Sequence, residues 1–244
     1  DKMEKRYSLD MTQGPFLKKI LIFSVPLMLT GLLQLAYNTA DVIVVGRFVG
    51  KEALAAVGST GSLVNLFLNV FLGLSMGAGV MIARHIGEQD DRKVHECTHT
   101  AMLLSVICGF LIGIIGFFFS SKMLELMDVP EDVIDLATLH LKIYFIGSPG
   151  LLAYNFGASI VRATGDTKRP LYILSFSGLI NVSLNLILVI VFKFGVEGVA
   201  IATIVSQYVS ALLVVLYLLK MPNSCRLVFS KLKIYAEELK SILM

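Results

Sequence analysis

ALAAVGSTGSLVNLFLNVFLGLSMGAGVMIA, residues 53–83, contains no charged side chain between Glu52 and Arg84. A bilayer core takes about 20 apolar residues to cross as a helix, so this stretch of 31 residues is long enough. Five further windows read the same way. Lys19 to Arg47 encloses only Asp41, and Asp135 to Arg162 encloses only Lys142. Glu96 to Lys122, Arg169 to Lys193 and Glu197 to Lys220 enclose no charge. Lipid offers backbone groups no partner, and these segments are too long for barrel strands, so helices are expected. The spans are expected at about 16–46, 53–83, 95–121, 133–161, 170–192 and 196–220. The fold class that follows is all-α integral membrane, with six transmembrane helices.

Composition supports this. The chain is 56% hydrophobic and 16% charged, with a mean hydropathy of +0.78. A soluble fold this apolar would expose large greasy patches. The first segment is too long for a cleavable signal peptide, and five similar ones follow. Cys97, Cys108 and Cys225 are too scattered for a disulfide framework or a CxxC metal site. No basic patch is interleaved with aromatics, so no nucleic-acid partner is expected.

Lys and Arg mark cytoplasmic loops. Sixteen of them fall on one side. These are the N-terminal tail (Lys2, Lys5, Arg6, Lys18, Lys19), the second-to-third and fourth-to-fifth loops, and the C-terminal segment. Arg47, Lys51, Lys122 and Lys193 make four on the other. The bias places both termini in the cytoplasm of a multi-pass plasma or inner membrane protein. Lys142 lies near the outer end of its span, where it is expected to snorkel.

Polar residues inside the spans recur at helical spacing. The first span carries Thr30, Gln34, Asn38 and Asp41 on one face, with Tyr37 beside them. The second carries Ser62, Asn65 and Asn69, the fifth Ser177, Asn181 and Asn185, and the sixth Thr203, Ser206, Gln207 and Ser210. Such faces turn toward other helices or a water-filled cavity. The small hydroxyls and amides can equally serve as glue between helices. Asp41 is different, because an aspartate deep in a span costs about 2.5–3.5 kcal/mol even on the lenient insertion scale. It is the one acid enclosed by any of the six windows. It can take up a proton, or hold Na⁺ with help from neighbouring amide and hydroxyl oxygens. Both are coupling chemistries of secondary transporters, for which no cofactor is expected. Gln34, Tyr37, Asn38, Asn65, Asn69 and Asn155 are expected to line a substrate cavity. Pro26, mid-span in the first helix, removes one backbone bond and is expected to act as a hinge.

His95-Glu96-Cys97-Thr98-His99 matches H-E-x-x-H. That spacing puts two imidazoles on one helical face beside a glutamate, as in zinc proteases. A catalytic zinc needs a third protein ligand, and none is evident nearby. The alternative is a solvated helix entrance after the polar run 87–93.

Four runs, in order, resemble one family. They are Asn38-Thr-Ala-Asp41-Val-Ile-Val-Val-Gly46-Arg47, Gly50-Lys-Glu52-Ala-Leu-Ala-Ala-Val-Gly58, Arg162-Ala-Thr-Gly165-Asp166-Thr-Lys-Arg-Pro170 and Gly195-Val-Glu197-Gly198-Val-Ala-Ile-Ala-Thr203. Together they are similar to the N-terminal half of multidrug and toxic compound extrusion (MATE) transporters. The resemblance implies two six-helix lobes around a cleft, and export of drugs or other organic cations and amphipathic compounds in exchange for Na⁺ or H⁺. It implies a transporter and not an enzyme, with a cation site at Asp41, Asn181, Asn185 and Thr203. Some members carry a second aspartate where this chain has Asn185. Residues 1–222 are expected to be one lobe, and 223–244 a linker with the start of a second lobe. The missing half would be the partner, or else a second copy of the same chain. The run 231–240 is expected to form a short amphipathic helix at the membrane surface. A lipid-linked sugar flippase of the same superfamily is the nearest alternative, disfavoured because Lys142 is the only Lys or Arg enclosed by the six windows.

Overall fold

The computed structural model describes residues 16–243, and all regular structure among them is helical. The expected cytoplasmic residues Lys2, Lys5 and Arg6 lie outside the described residues. Helix α1 is Phe16–Val44, continued by a π-helical turn at Val45–Val49. Then come α2, Lys51–Gly87, and α3, Asp91–Glu125. Helices α4 and α5 are Glu131–Ile146 and Ser148–Ala163. Helix α6, Lys168–Leu186, also runs into a π turn, Ile187–Val191, and α7 is Val196–Leu219. A 3₁₀ turn, Phe229–Lys231, precedes α8, Ala236–Leu243.

The helix starts follow local chemistry. Asp90 caps α3 by accepting from the Lys93 backbone N–H at 3.0 Å. Asp166 Oδ1 accepts from the N–H groups of Lys168 and Arg169, each at 3.1 Å, at the start of α6. Between the first π turn and α2 the chain reverses at Gly50, whose φ of 133° is open only to glycine. Helices α2 and α3 extend beyond the expected spans at both ends, because their polar flanks stay helical past the apolar stretch.

Five helices are long and apolar enough to cross a membrane, and the count is six with α4 and α5, bent by 48°, taken as one span. Each of the six expected windows thus holds apolar helix, with one correction. The fourth is not a continuous helix. It breaks at Gly147, where Pro149 has no N–H to continue the ladder. Ser148 Oγ hydrogen-bonds the freed Phe145 carbonyl at 2.7 Å and the Gly109 carbonyl of α3 at 2.8 Å. Helix α1, by contrast, runs unbroken through Pro26.

Large apolar side chains such as Leu66, Phe118, Val191 and Leu212 are more than half exposed. This is how a surface facing lipid reads. Two buried clusters divide the interior. One, at the end carrying most of the basic loops, joins Ile82, Val94, Phe156, Ile160 and Leu218. The other, at the opposite end, joins Val45, Leu124, Leu141, Phe145 and Val189. Close helix approach rests on glycines, as expected where lipid tails compete equally for apolar contact. Gly116 lies under the Phe145 ring, and Gly109 lies against the Pro149 backbone.

Residues 221–243 fold back onto the basic end of the bundle. The Val228 N–H donates to His99 Nε2 at 3.0 Å, and the Tyr235 N–H donates to Thr100 Oγ1 at 3.1 Å. The helix expected over 231–240 is displaced to Ala236–Leu243. It does not float on the surface: Glu238 and Ile242 are buried against α2 and α3.

A methyl group at Gly109 would sit 2.6 Å from Pro149 Cα, an atom that cannot rotate away. Gly109→Ala should lower stability by about 1–3 kcal/mol. Gly58→Ala, with nothing within 4 Å, should be neutral. Thermal unfolding in detergent checks the pair, and equal midpoints would contradict the packing.

Candidate functional site

Asp41 sits on α1, one turn before its π turn, and reaches across to α6 and α7. Asn185 Nδ2 donates to Asp41 Oδ1. The Thr203 hydroxyl lies 3.5 Å from Oδ2. Asn181 Nδ2 donates to Thr203 Oγ1 at 3.4 Å, and Asn185 Nδ2 lies 3.3 Å from Asn181 Oδ1. The four residues placed together by periodicity and resemblance thus form one cluster joining three helices. Asn181 and Asn185 are buried, whereas Asp41 and Thr203 are partly buried.

Asn185 Oδ1 is buried and has no hydrogen-bond donor. A buried acceptor without a partner is costly and calls for an explanation. Beside a carboxylate it has an evident one, because it can accept from a protonated Asp41 or coordinate a small cation held there. Carboxylate, amide and hydroxyl oxygens from three helices are a donor set suited to either.

Both helices that meet at Asp41 change winding just beyond it. The π turns follow Asp41 by four residues and Asn185 by two, and Val45 and Val189 pack in the same buried cluster. Such turns concentrate at functional sites. They leave no trace in hydrophobic periodicity, so the sequence did not reveal them. Tyr144, at the end of α4, was also missed. It lies close to Gln207 of α7 and within electrostatic reach of Asp41.

The expected cavity residues divide. Tyr37 packs face-on against Gly178 of α6, and its hydroxyl donates to the Ser175 carbonyl at 3.3 Å. Gln34, Asn38, Asn65 and Asn69 are exposed on α1 and α2. Asn155 is buried, and its Nδ2 donates to Leu151 O of its own helix at 3.0 Å. It therefore lies inside the lobe and not on an open wall. Pro26 is buried in α1, and Thr30 Oγ1 donates to its carbonyl at 2.8 Å.

The zinc reading of His95, Glu96 and His99 fails on geometry. The two rings lie against each other with centroids 4.0 Å apart and planes tilted by 44°. His99 Nδ1 donates to the His95 carbonyl at 2.8 Å, which leaves Nε2 as the acceptor for Val228 N–H. Its one lone pair is therefore already in use. Glu96 is engaged by Arg92 at 2.9 Å. Among the described residues, no three His, Cys, Asp or Glu side chains gather as a metal site.

Comparison with known proteins points one way. The family model MatE matches residues 26–187. The probable multidrug resistance protein YpnP of Bacillus subtilis is 33% identical over 211 residues, covering 86% of this chain and 47% of that protein. A MATE crystal structure in the bent conformation is 29% identical and superposes with a TM-score of 0.86, covering 93% of this chain and 50% of the other. A MATE structure in the straight conformation superposes at 0.85 with the same identity and coverage. The chain spans about half the length of the curated relatives it matches.

Purified protein should carry no stoichiometric zinc by elemental analysis. One zinc per chain, lost on His95→Ala, would restore the protease reading.

Proposed function

This chain belongs to the MATE family of membrane transporters, and on that premise we propose that it forms the N-terminal lobe of a secondary antiporter. Its substrates are drugs or other organic cations and amphipathic compounds, exported in exchange for Na⁺ or H⁺. The observation that supports this most is the Asp41 cluster. One carboxylate, inside an apolar span, is bonded to side chains of two other helices, and one of those side chains, Asn185, has a buried oxygen without a donor.

The proposed cycle begins with a cation entering from outside and meeting Asp41. Neutralising that carboxylate changes which of Asn185, Asn181 and Thr203 it can bond. The α1–α6–α7 contact then repacks. A ligand shifts a conformational equilibrium only through a difference in affinity between the two states, and the change of bonding at Asp41 supplies that difference. Alternating access needs two bundles that rock about a midplane site, so a second six-helix lobe is the required partner. Both termini of this lobe face the cytoplasm in this reading, and Pro26 is the hinge in α1. Related structures exist in bent and straight conformations, which supports a mobile element. Asn185 leaves the site with a single carboxylate. This weakens its electrostatic grip on Na⁺ and leaves H⁺ as the simpler coupling ion.

In cells carrying the full-length gene, Asp41→Asn should reduce ethidium efflux to the level of cells without the gene, at unchanged expression. Varying external Na⁺ at fixed pH, then pH at fixed Na⁺, identifies the ion. Efflux that survives Asp41→Asn would overturn the mechanism. Pro26→Ala should impair efflux with normal membrane abundance, and unaltered efflux would remove the hinge.

A further inference from the structure

Between the start of α3 and the returning segment 221–243 lies an open cavity of about 850 Å³ at the basic end of the lobe. Arg92, His95 and Glu96 line it from α3, and Lys231, Lys233 and Tyr235 from the segment. Its walls are fastened together. Val228 N–H bonds His99, Tyr235 N–H bonds Thr100, and the Ser224 hydroxyl donates to Asp91 Oδ1. The lining carries three basic side chains and two acids, Asp91 and Glu96. Both acids are already engaged. Asp91 accepts from Ser224, and Glu96 pairs with Arg92 at 2.9 Å. Glu237 acts on Arg92 from α8 as well, so that guanidinium is fully compensated. Lys231 and Lys233 are exposed and take part in no ion pair among the described residues. Lys233 instead lies 5.7 Å from the centre of the Tyr235 ring. Two ammonium groups thus border one opening without a counter-charge, which favours an anion there.

The surroundings of the cavity favour a lipid over a soluble anion. The apolar window of the third span begins just after Glu96, so the cavity stands where headgroups meet hydrocarbon. Phe110 follows Arg92 by 18 residues and Ile114 follows Glu96 by 18, which is about five whole helical turns. Phe110 and Ile114 are 57% and 55% exposed. The face of α3 that lines the cavity therefore continues straight into the face that meets lipid tails. On the segment itself, Phe229 and Ile234 flank the two lysines and are 61% and 36% exposed. Lysines set among exposed apolar side chains are the mark of a segment lying at the membrane interface.

We propose that this cavity binds the phosphate headgroup of an anionic phospholipid, with Lys231 and Lys233 on the phosphate and the acyl chains along Phe110 and Ile114. The charge bias of the loops makes this the cytoplasmic leaflet, where anionic lipids attract basic clusters. A free phosphate would meet the same lysines but leave the apolar face of α3 unused. Because the segment 221–243 forms one wall, the bound lipid also holds that segment against α3, as any ligand stabilises the state it binds. The proposal needs the bundle to lie in a bilayer and is independent of the chemistry at Asp41.

The test is lipid binding to the full-length transporter in neutral detergent, followed by native mass spectrometry and thermal unfolding. The probes are phosphatidylglycerol, phosphatidylcholine with the same acyl chains, and inorganic phosphate. Phosphatidylglycerol should bind about 30-fold more tightly than phosphatidylcholine, the worth of two lysines at an anionic surface, and should raise the unfolding midpoint. Lys231→Gln together with Lys233→Gln should abolish that preference and leave the lipid-free midpoint unchanged, because both side chains are exposed. Lys168→Gln, exposed in another loop at the same end, should keep the preference. Millimolar inorganic phosphate should neither raise the midpoint nor displace phosphatidylglycerol. The proposal is overturned by equal binding of the two lipids, or by a preference that survives loss of both lysines or vanishes in Lys168→Gln. Displacement by inorganic phosphate would make this a site for soluble anions, and a lipid-free midpoint lowered by the double variant would make the lysines structural; either result also overturns it.

Discussion

A carboxylate set inside an apolar span is held by its neighbours, and in this lobe those neighbours lie on other helices. Asp41 bonds Asn185 of α6 and approaches Thr203 of α7. Asn185 has to be fully buried to do so, and Asn181 ties α6 to α7 one turn away. The two π turns fit the same constraint. They set the ends of α1 and α6 together through Val45 and Val189, immediately beyond the polar cluster. Polar pairing inside, small residues at crossings and large apolar side chains outside all follow from a solvent that offers no hydrogen bonds.

The spans were legible because charge is expensive in lipid. Six windows between charged residues correspond to five long apolar helices and one bent pair, and the Asp41 cluster was legible because helical spacing singled out its polar residues and the family resemblance grouped them. What stayed hidden is set by single contacts. The break at Gly147 has a local cause in Pro149, but a proline also sits in the unbroken first helix, and what settles the difference is Ser148 bonding the Gly109 carbonyl of another helix. The π turns need one extra residue per turn, a shift too small for a periodicity to register. Asn155 read like the other span amides, yet it bonds its own helix and faces inward. The segment 231–235 has the composition of an amphipathic helix, but Tyr235 N–H goes to Thr100, so the helix starts only at Ala236.

H-E-x-x-H shows how a motif can be present without its chemistry. The two histidines do lie together on one face, as their spacing demands. A metal needs lone pairs, however, and His99 has given its own to the backbone of Val228. The same histidine that would have been a ligand is a fastening point for residues 221–243. His99 and Thr100 at this end fasten that segment, and Asn181 and Asn185 elsewhere in the bundle gather around Asp41.

Helix α1 is the element on which that second cluster has leverage. Within its regular part only Pro26, Thr30 and Val44 are buried among the described residues, and most of its apolar side chains face outward. Its contact with the lobe runs mainly along α6, through Tyr37 against Gly178 and Asp41 against Asn185. Elements with few buried contacts sit at the low end of local stability. A change of a few kcal/mol in one interaction is then a large fraction of what holds the helix in place, whereas the same change within α5, buried along nearly its whole length, would move little. Placing the ionisable group on the least anchored helix gives its charge state control over that helix's position, and the rest of the bundle provides the fixed frame against which it moves.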